Sequence, residues 1–190
     1  MIKELVLKNR TYRRFEESHK IEKSFLKELI ELARFSPSAA NLQPLKFLLS
    51  CTPEKNNRIF PHLAWAGYLK NWKGPEPGER PSAYIIILND TRISKRPDCD
   101  HGIVVQSMLL GAVEKGLGGC IFGAVQRQKL SQEFKLPVHL EILLVLALGK
   151  PREAVILEDA ETGKNIKYWR DAEQRHHVPK RTLDEIILEL

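Results

Sequence analysis

Residues 98–125, DCDHGIVVQSMLLGAVEKGLGGCIFGAV, decide how this chain folds. From Asp98 the pattern predicts a helix through Lys115, in which Ile103, Val104, Val105, Met108, Leu109, Leu110 and Val113 leave little polar face. A helix apolar on most sides must be covered on most sides. One cover is the sheet, and a second subunit is a candidate for another. Asp98 and Asp100 suit a helix start, where the aligned peptide dipoles favour negative charge. The run Gly116-Leu-Gly-Gly119 stops the helix, and residues 120–125 have the composition of a strand.

Moving outward, AYIIILN (83–89) and EILLVLAL (141–148) read as buried strands, and KFLLSC (46–51) as a shorter one. Ile21, Phe25 and Leu29, with Leu26, Ile30 and Ala33, follow helical spacing, so 22–35 is an amphipathic helix ended by Pro37. Shorter helices are expected at 2–8, after Pro53 and at 126–136. The alternation predicts one domain over residues 1–190, an α/β or α+β sandwich of helices over a sheet.

Two segments lack a core pattern. PHLAWAGYLKNWKGPEPGERPS (61–82) sets Trp65, Tyr68 and Trp72 among prolines and glycines, the character of a lid or binding loop, or of a surface excursion pinned by its own aromatics. After Pro151 an arm rich in charge runs to Pro179 and needs a surface to lie on, its own domain or a partner. Thr182 and Glu185 make a capping box for a short terminal helix.

Composition narrows the function. The 190 residues carry 43% hydrophobic and 28% charged side chains, ordinary for a soluble globular protein, and no run approaches a membrane span. The start, MIKELVLKNR, does not read as a signal peptide, so the expected location is the cytoplasm. The net charge of +6 is spread along the chain without a helix-turn-helix, zinc-finger or aromatic RNA-reading pattern, so no nucleic acid is expected. Cys51, Cys99 and Cys120 are too scattered for a disulfide framework or a zinc site, and neither Cys99-Asp-His101 nor His176-His177 makes a metal site.

Familiar motifs fail. In Gly116-Leu-Gly-Gly-Cys-Ile121 the last position needs glycine for a dinucleotide fingerprint, and no G-x-S-x-G supplies a hydrolase serine. With no evident nucleophile or metal, catalysis would draw on an organic cofactor. In NRTYRRF (9–15), Thr11 and Arg13 point the same way from an extended chain and can share an anion, with Arg10 closing from the side; a solvated basic turn is the other reading. Lys180 and Arg181 end the arm with two more cations, which also suit a basic surface before a helix.

NRTYRRF at 9–15, SPSAANLQP at 36–44, GIVVQSMLLGAVEKGLGGCIFGA at 102–124, and LALGKP followed by VPKR, in this order, resemble the FMN-dependent nitroreductase family. The resemblance implies a homodimer of α+β subunits, each with a mixed central sheet covered by helices and a C-terminal arm (151–190) crossing to the partner. FMN would lie in the dimer-interface clefts. Arg10, Thr11 and Arg13 match the family's phosphate and ribityl contacts, Lys180 with Arg181 the basic contact from the arm, and Ile121, Phe122 and Gly123 the segment along the isoalloxazine ring. The helix 98–115 looks like the family's central dimer helix. On the same footing Pro37, Ser38, Ala39, Asn41 and Gln43 form one wall of the FMN cleft, although Ser and Asn in a proline-framed turn also satisfy their own backbone.

Two departures stand out: Asn9 and Leu45 occupy positions where many members carry arginine and tryptophan. Arg14 is a candidate substitute for the missing arginine. The resemblance further implies a ping-pong relay in which NADH or NADPH reduces FMN, leaves, and is replaced by an electron-poor acceptor such as a nitroaromatic or quinone. No side chain acts as a nucleophile, and Trp65, Tyr68 and Trp72 are candidates for the substrate pocket. A non-catalytic FMN-binding protein, or a flavin-fragmenting or dehalogenating relative on the same fold, is the alternative.

Overall fold

The strand Ala83–Asp90 (β2) is buried along its whole length because each of its faces meets a separate layer of helices. It belongs to a computed structural model that describes residues 1–160, 163 and 165–188. Leu45–Ser50 (β1), β2, Leu140–Gly149 (β4) and Gly118–Phe122 (β3) form a sheet in the order β1-β2-β4-β3. Successive side chains leave opposite faces. Ile85, Ile87, Leu146 and Leu148 therefore pack with Leu26 and Leu29 of helix Lys23–Phe35 (α2) and with Val105 and Met108 of helix Asp100–Glu114 (α4). Tyr84, Ile86, Leu88, Val145 and Ala147 face Ile59 of helix Pro53–Ile59 (α3) and Leu130 of helix Arg127–Glu133 (α5). The helix Ile2–Lys8 (α1) lies against α4.

The α+β sandwich is as expected, but the mixed character of the sheet holds only at its margin. The four strands pair antiparallel throughout, and only an isolated parallel bridge joins Thr11 to Gly119 beside them. Strand β3 also starts two residues before the expected Cys120. Gly118 and Gly119 are strand positions where neighbours come too close for a side chain: a Cβ would lie 2.4 Å from the Tyr12 ring at Gly118 and 2.6 Å from the Ala147 carbonyl oxygen at Gly119. The helix expected from Asp98 begins at Asp100, since Asp98 adopts a left-handed φ of 44°.

The arm has more structure than its composition suggested. It carries its own three-stranded sheet, Val155–Asp159 (β5), Trp169–Arg170 (β6) and His176–Lys180 (β7), with β7 central and parallel to β5. This sheet lies on the chain's own N-terminal segment: Phe15 bridges Pro151, and Arg152 N–H donates to the Arg14 carbonyl. Its buried strand positions are His176 and His177, so no aliphatic alternation advertises it. The final helix, Leu183–Ile186 (α6), has Thr182 at its N-cap without the expected capping box, because the Glu185 carboxylate is taken by Arg181. No helix among the described residues is long and apolar enough to cross a membrane.

Candidate functional site

Residues 9–15 run as an extended ribbon over the end of β3. Tyr12 N–H donates to the Gly119 carbonyl (3.0 Å), the Tyr12 ring covers Gly118, and Phe15 is wholly buried. With Tyr12 and Phe15 as anchors, Arg10, Thr11 and Arg13 are left to line a cleft of about 230 Å³. Gln106 and Leu109 of α4, Ile121 of β3, and Tyr168, His176 and Lys180 of the arm complete its walls. Arg10, Arg13 and Lys180 thus share one cleft whose lining, among the described residues, includes no carboxylate.

Behind this wall sits Glu153, with only 1% of its side chain exposed. Its carboxylate accepts the backbone N–H of Arg13, that of Arg14 (3.1 Å) and Arg170 Nη2 (3.0 Å). One buried acid therefore fixes both the N-terminal ribbon and the arm. Arg13 Nη1 lies 2.9 Å from His176 Nε2, and its guanidinium stacks over the Tyr168 ring at 4.5 Å. A guanidinium only donates, so Nε2 is the acceptor and the imidazole is neutral with its proton on Nδ1. Burial, reinforced by Arg13, Arg170 and His177, holds the His176 pKa down to about 4. Two buried nitrogens of the cleft residues, His176 Nδ1 and Arg10 Nε, have no partner; an unmet buried donor costs about 1–3 kcal/mol.

The other expected site residues divide. Arg14 is committed to Glu79, with Nε 2.8 Å from Oε2, so it does not replace the arginine missing at Asn9. Asn9 itself lines the cleft and donates to Gln106 Oε1 at 3.3 Å. Of the 121–123 segment only Ile121 lines the cleft. Phe122 points into the opposite core layer against Trp65, and the Gly123 carbonyl accepts Arg127 Nη2 at 2.9 Å. Arg181 turns to Glu185.

Trp65, Tyr68 and Trp72 do not line this cleft. Trp65 packs among Phe60, Trp72 and Phe122, and Trp72 lies under Arg170. Tyr68 packs at a tilt against Tyr168 with ring centroids 4.9 Å apart, so it meets the cleft through that ring. The loop expected as a lid is therefore largely self-packed. Cys120 is buried, which pushes its thiol up to about 12 and makes it inert.

The segment Pro37–Gln43 lies elsewhere. Ser38 and Gln43 line a second cleft of about 250 Å³ with Lys46, Phe47, Asp100 and Val104, while Pro37 borders a groove between α1 and α4. Both clefts draw on α4, through Gln106 and Leu109 in one and Asp100 and Val104 in the other. Within the loop, Ser38 Oγ donates to Asp100 Oδ2 (2.6 Å), Ala39 N–H to Asp100 Oδ1 (2.9 Å), and Gln43 Nε2 to Asn41 Oδ1 (3.1 Å). Ala40, Asn41 and Gln43 all have positive φ, from 48° to 55°. Such left-handed backbone costs of order 1–3 kcal/mol per non-glycine residue and persists only when its surroundings enforce it. The buried Asp100 does that here. Asp100, read from sequence only as a helix-start charge, is the loop's anchor; Glu153, His176, Tyr168 and Gln106 were likewise missed. Among the described residues no group of three or more His, Cys, Asp or Glu is arranged to hold a metal ion.

A cleft lined by Arg10, Arg13 and Lys180 at the edge of a helix-covered antiparallel sheet marks an α+β protein. The model of the Nitroreductase family matches residues 6–150, and the chain belongs to that family. Three solved structures share the fold. A nitroreductase family protein of Clostridium difficile 630 is 23% identical with a TM-score of 0.64, covering 79% of this chain and 84% of its own. A putative nitroreductase in complex with FMN from Exiguobacterium sibiricum 255-15 is 18% identical with a TM-score of 0.67, covering 80% and 89%. The nitroreductase family protein of Streptococcus pneumoniae TIGR4 is 16% identical and covers 100% of both chains with a TM-score of 0.70. The family match ends before the arm, so Lys180, His176 and Tyr168 lie beyond it.

Proposed function

We propose that this protein is an FMN-dependent oxidoreductase passing hydride from NADH or NADPH to a small electron-poor acceptor such as a nitroaromatic or quinone. The observation that carries this reading is the convergence of Arg10, Arg13 and Lys180 on one cleft whose lining, among the described residues, includes no carboxylate. The donor set fits FMN: forked guanidiniums suit phosphate oxygens, Gln106 and Thr11 suit ribityl hydroxyls, and exposed Ile121 offers an apolar surface for a flat ring. Bound there, FMN would supply two-electron hydride chemistry, which no side chain of the cleft can perform.

The chain's own part is binding, orientation and electrostatics. Arg10, Arg13 and Lys180 neutralise the phosphate, and Glu153 sets the direction of the Arg13 ribbon. His176 stays uncharged over the working pH range, leaving the positive charge to the guanidiniums and Lys180.

The protein acts as a homodimer. Phe35, Leu7 and Ile2 are 68%, 51% and 65% exposed on the helices beside α4, apolar side chains that a partner would cover. In the dimer the partner's Pro37–Gln43 loop supplies the second wall of the FMN cleft, uniting two sets of residues that one chain holds in separate clefts. The C-terminal arm adds to the same interface.

Steady-state kinetics test the relay. With NADH or NADPH varied at several fixed quinone concentrations, parallel double-reciprocal lines are expected; intersecting lines contradict it. Flavin retention without any NAD(P)H oxidation would favour a non-catalytic FMN-binding protein.

A further inference from the structure

We propose that His176 is a cofactor-binding residue whose Nδ1–H donates to an oxygen at the phosphate–ribityl end of the FMN. The inference rests on the flavin reading above and adds to it a residue outside the matched family segment.

His176 opens β7, is 1% exposed and lines the cationic cleft. Its position is fixed from several sides. The backbone N–H donates to Ala154 O (2.8 Å), the ring lies 5.1 Å from that of Tyr168, and Nε2 accepts from Arg13 at 2.9 Å. Because Arg13 can only donate, the single ring proton must sit on Nδ1. That atom is buried and has no partner among the described residues.

Buried donors in folded proteins are nearly always satisfied, and this one belongs to a ring that lines the cleft. An oxygen-rich anion in that cleft supplies the missing acceptor. A neutral imidazole held this way is a preorganised donor: binding costs it no rotamer freedom, and the same ring aligns Arg13 for the same ligand. The groups that face it are Arg13, Arg170, His177 and Tyr168, and burial, reinforced by the cations among them, keeps it neutral. Its contribution is therefore independent of pH across the neutral range, unlike that of an imidazolium.

The test compares substitutions that separate the two ring nitrogens. An asparagine amide reaches the Nδ1 position but not Nε2, and a glutamine amide does the reverse. The apoprotein is titrated with FMN, following the quenching of flavin fluorescence. His176→Gln and His176→Phe are expected to weaken binding about tenfold to a hundredfold, whereas His176→Asn keeps most of the affinity. The ratio of wild-type to His176→Gln affinity is expected to stay constant from pH 5.5 to 8. In wild-type protein labelled with ¹⁵N-histidine, the His176 Nδ1 resonance is expected to shift on adding FMN. Wild-type affinity in both the Gln and Phe variants, or loss in Asn with retention in Gln, would overturn the proposal while leaving the flavin reading intact. Failure of the wild-type protein to bind FMN would overturn both. Circular dichroism identifies any variant that does not fold, and the Asn and Gln pair, both polar and of similar shape, decides the matter if Phe fails.

Discussion

At the scale of single residues the site separates those that meet a ligand from those that hold them. Arg13 belongs to the first kind and Glu153 to the second, although they touch. On the proposed flavin reading, removing Arg13 would take away charge-assisted hydrogen bonds to phosphate, each worth about 1.5–3 kcal/mol. Arg13→Ala is thus expected to weaken FMN binding roughly tenfold to a hundredfold while the apoprotein keeps most of its stability. Glu153→Ala behaves differently. It leaves Arg170, whose side chain is 8% exposed, without its carboxylate, and removes the acceptor from two backbone N–H groups. Breaking a buried ion pair on one side costs about 3–5 kcal/mol, so urea denaturation should show a loss of that order even without flavin. Equal stability of Glu153→Ala and wild type would contradict the anchoring role. The cations at 10, 13 and 180 were brought together by the resemblance, since each basic run on its own also suited a solvated surface. Glu153 and His176 were not, since they meet Arg13 across 140 and 163 residues of chain and carry no local pattern.

Among the elements, β2 could be read directly, because burial on both faces forces a continuous apolar run. The arm sheet could not, because its centre is built on histidines and ion pairs. His177 shows how that works: Nε2 lies 3.1 Å from Asp171, Nδ1 meets Glu158, and the ring stacks on Trp169 at 4.1 Å. Hydrogen bonding to Asp171, then to Glu158, raises the His177 pKa above its ordinary value of 6.5. A group whose pKa is raised in the folded state stabilises fully below its unfolded pKa, and that stabilisation is lost as pH rises through the folded one. His176, shifted the opposite way, destabilises only as pH falls below about 6.5 towards 4 and is silent above that. From pH 6.5 upward, amide protection factors of β5 and β7, corrected for intrinsic exchange, are therefore expected to fall. His177→Gln is expected to remove the pH dependence; an unchanged slope in that variant would refute the assignment. The loop Pro37–Gln43 was half legible. Its prolines and amides marked it as unusual, but its dependence on Asp100, 62 residues from Ser38, was invisible.

For the whole molecule, α4 gives the sequence reading its reach. Its missing polar face predicted cover on most sides. The structure supplies that cover from the sheet and from α1 and α2, and leaves clefts at both Asp100 and Gln106. If two copies close over this helix, assembly and flavin retention stand or fall together. Phe35→Glu places a charge in the exposed apolar face beside α4, and light scattering after gel filtration is expected to show a monomer that releases FMN. A monomeric variant with full flavin content would show that one chain builds the whole site.

The central claim is that the cleft of Arg10, Arg13 and Lys180 holds FMN. The visible spectrum of the purified protein, taken after supplementation with FMN and desalting, tests it most directly. The account predicts a yellow protein with flavin absorption maxima that dithionite bleaches. A colourless protein that retains no FMN would contradict it.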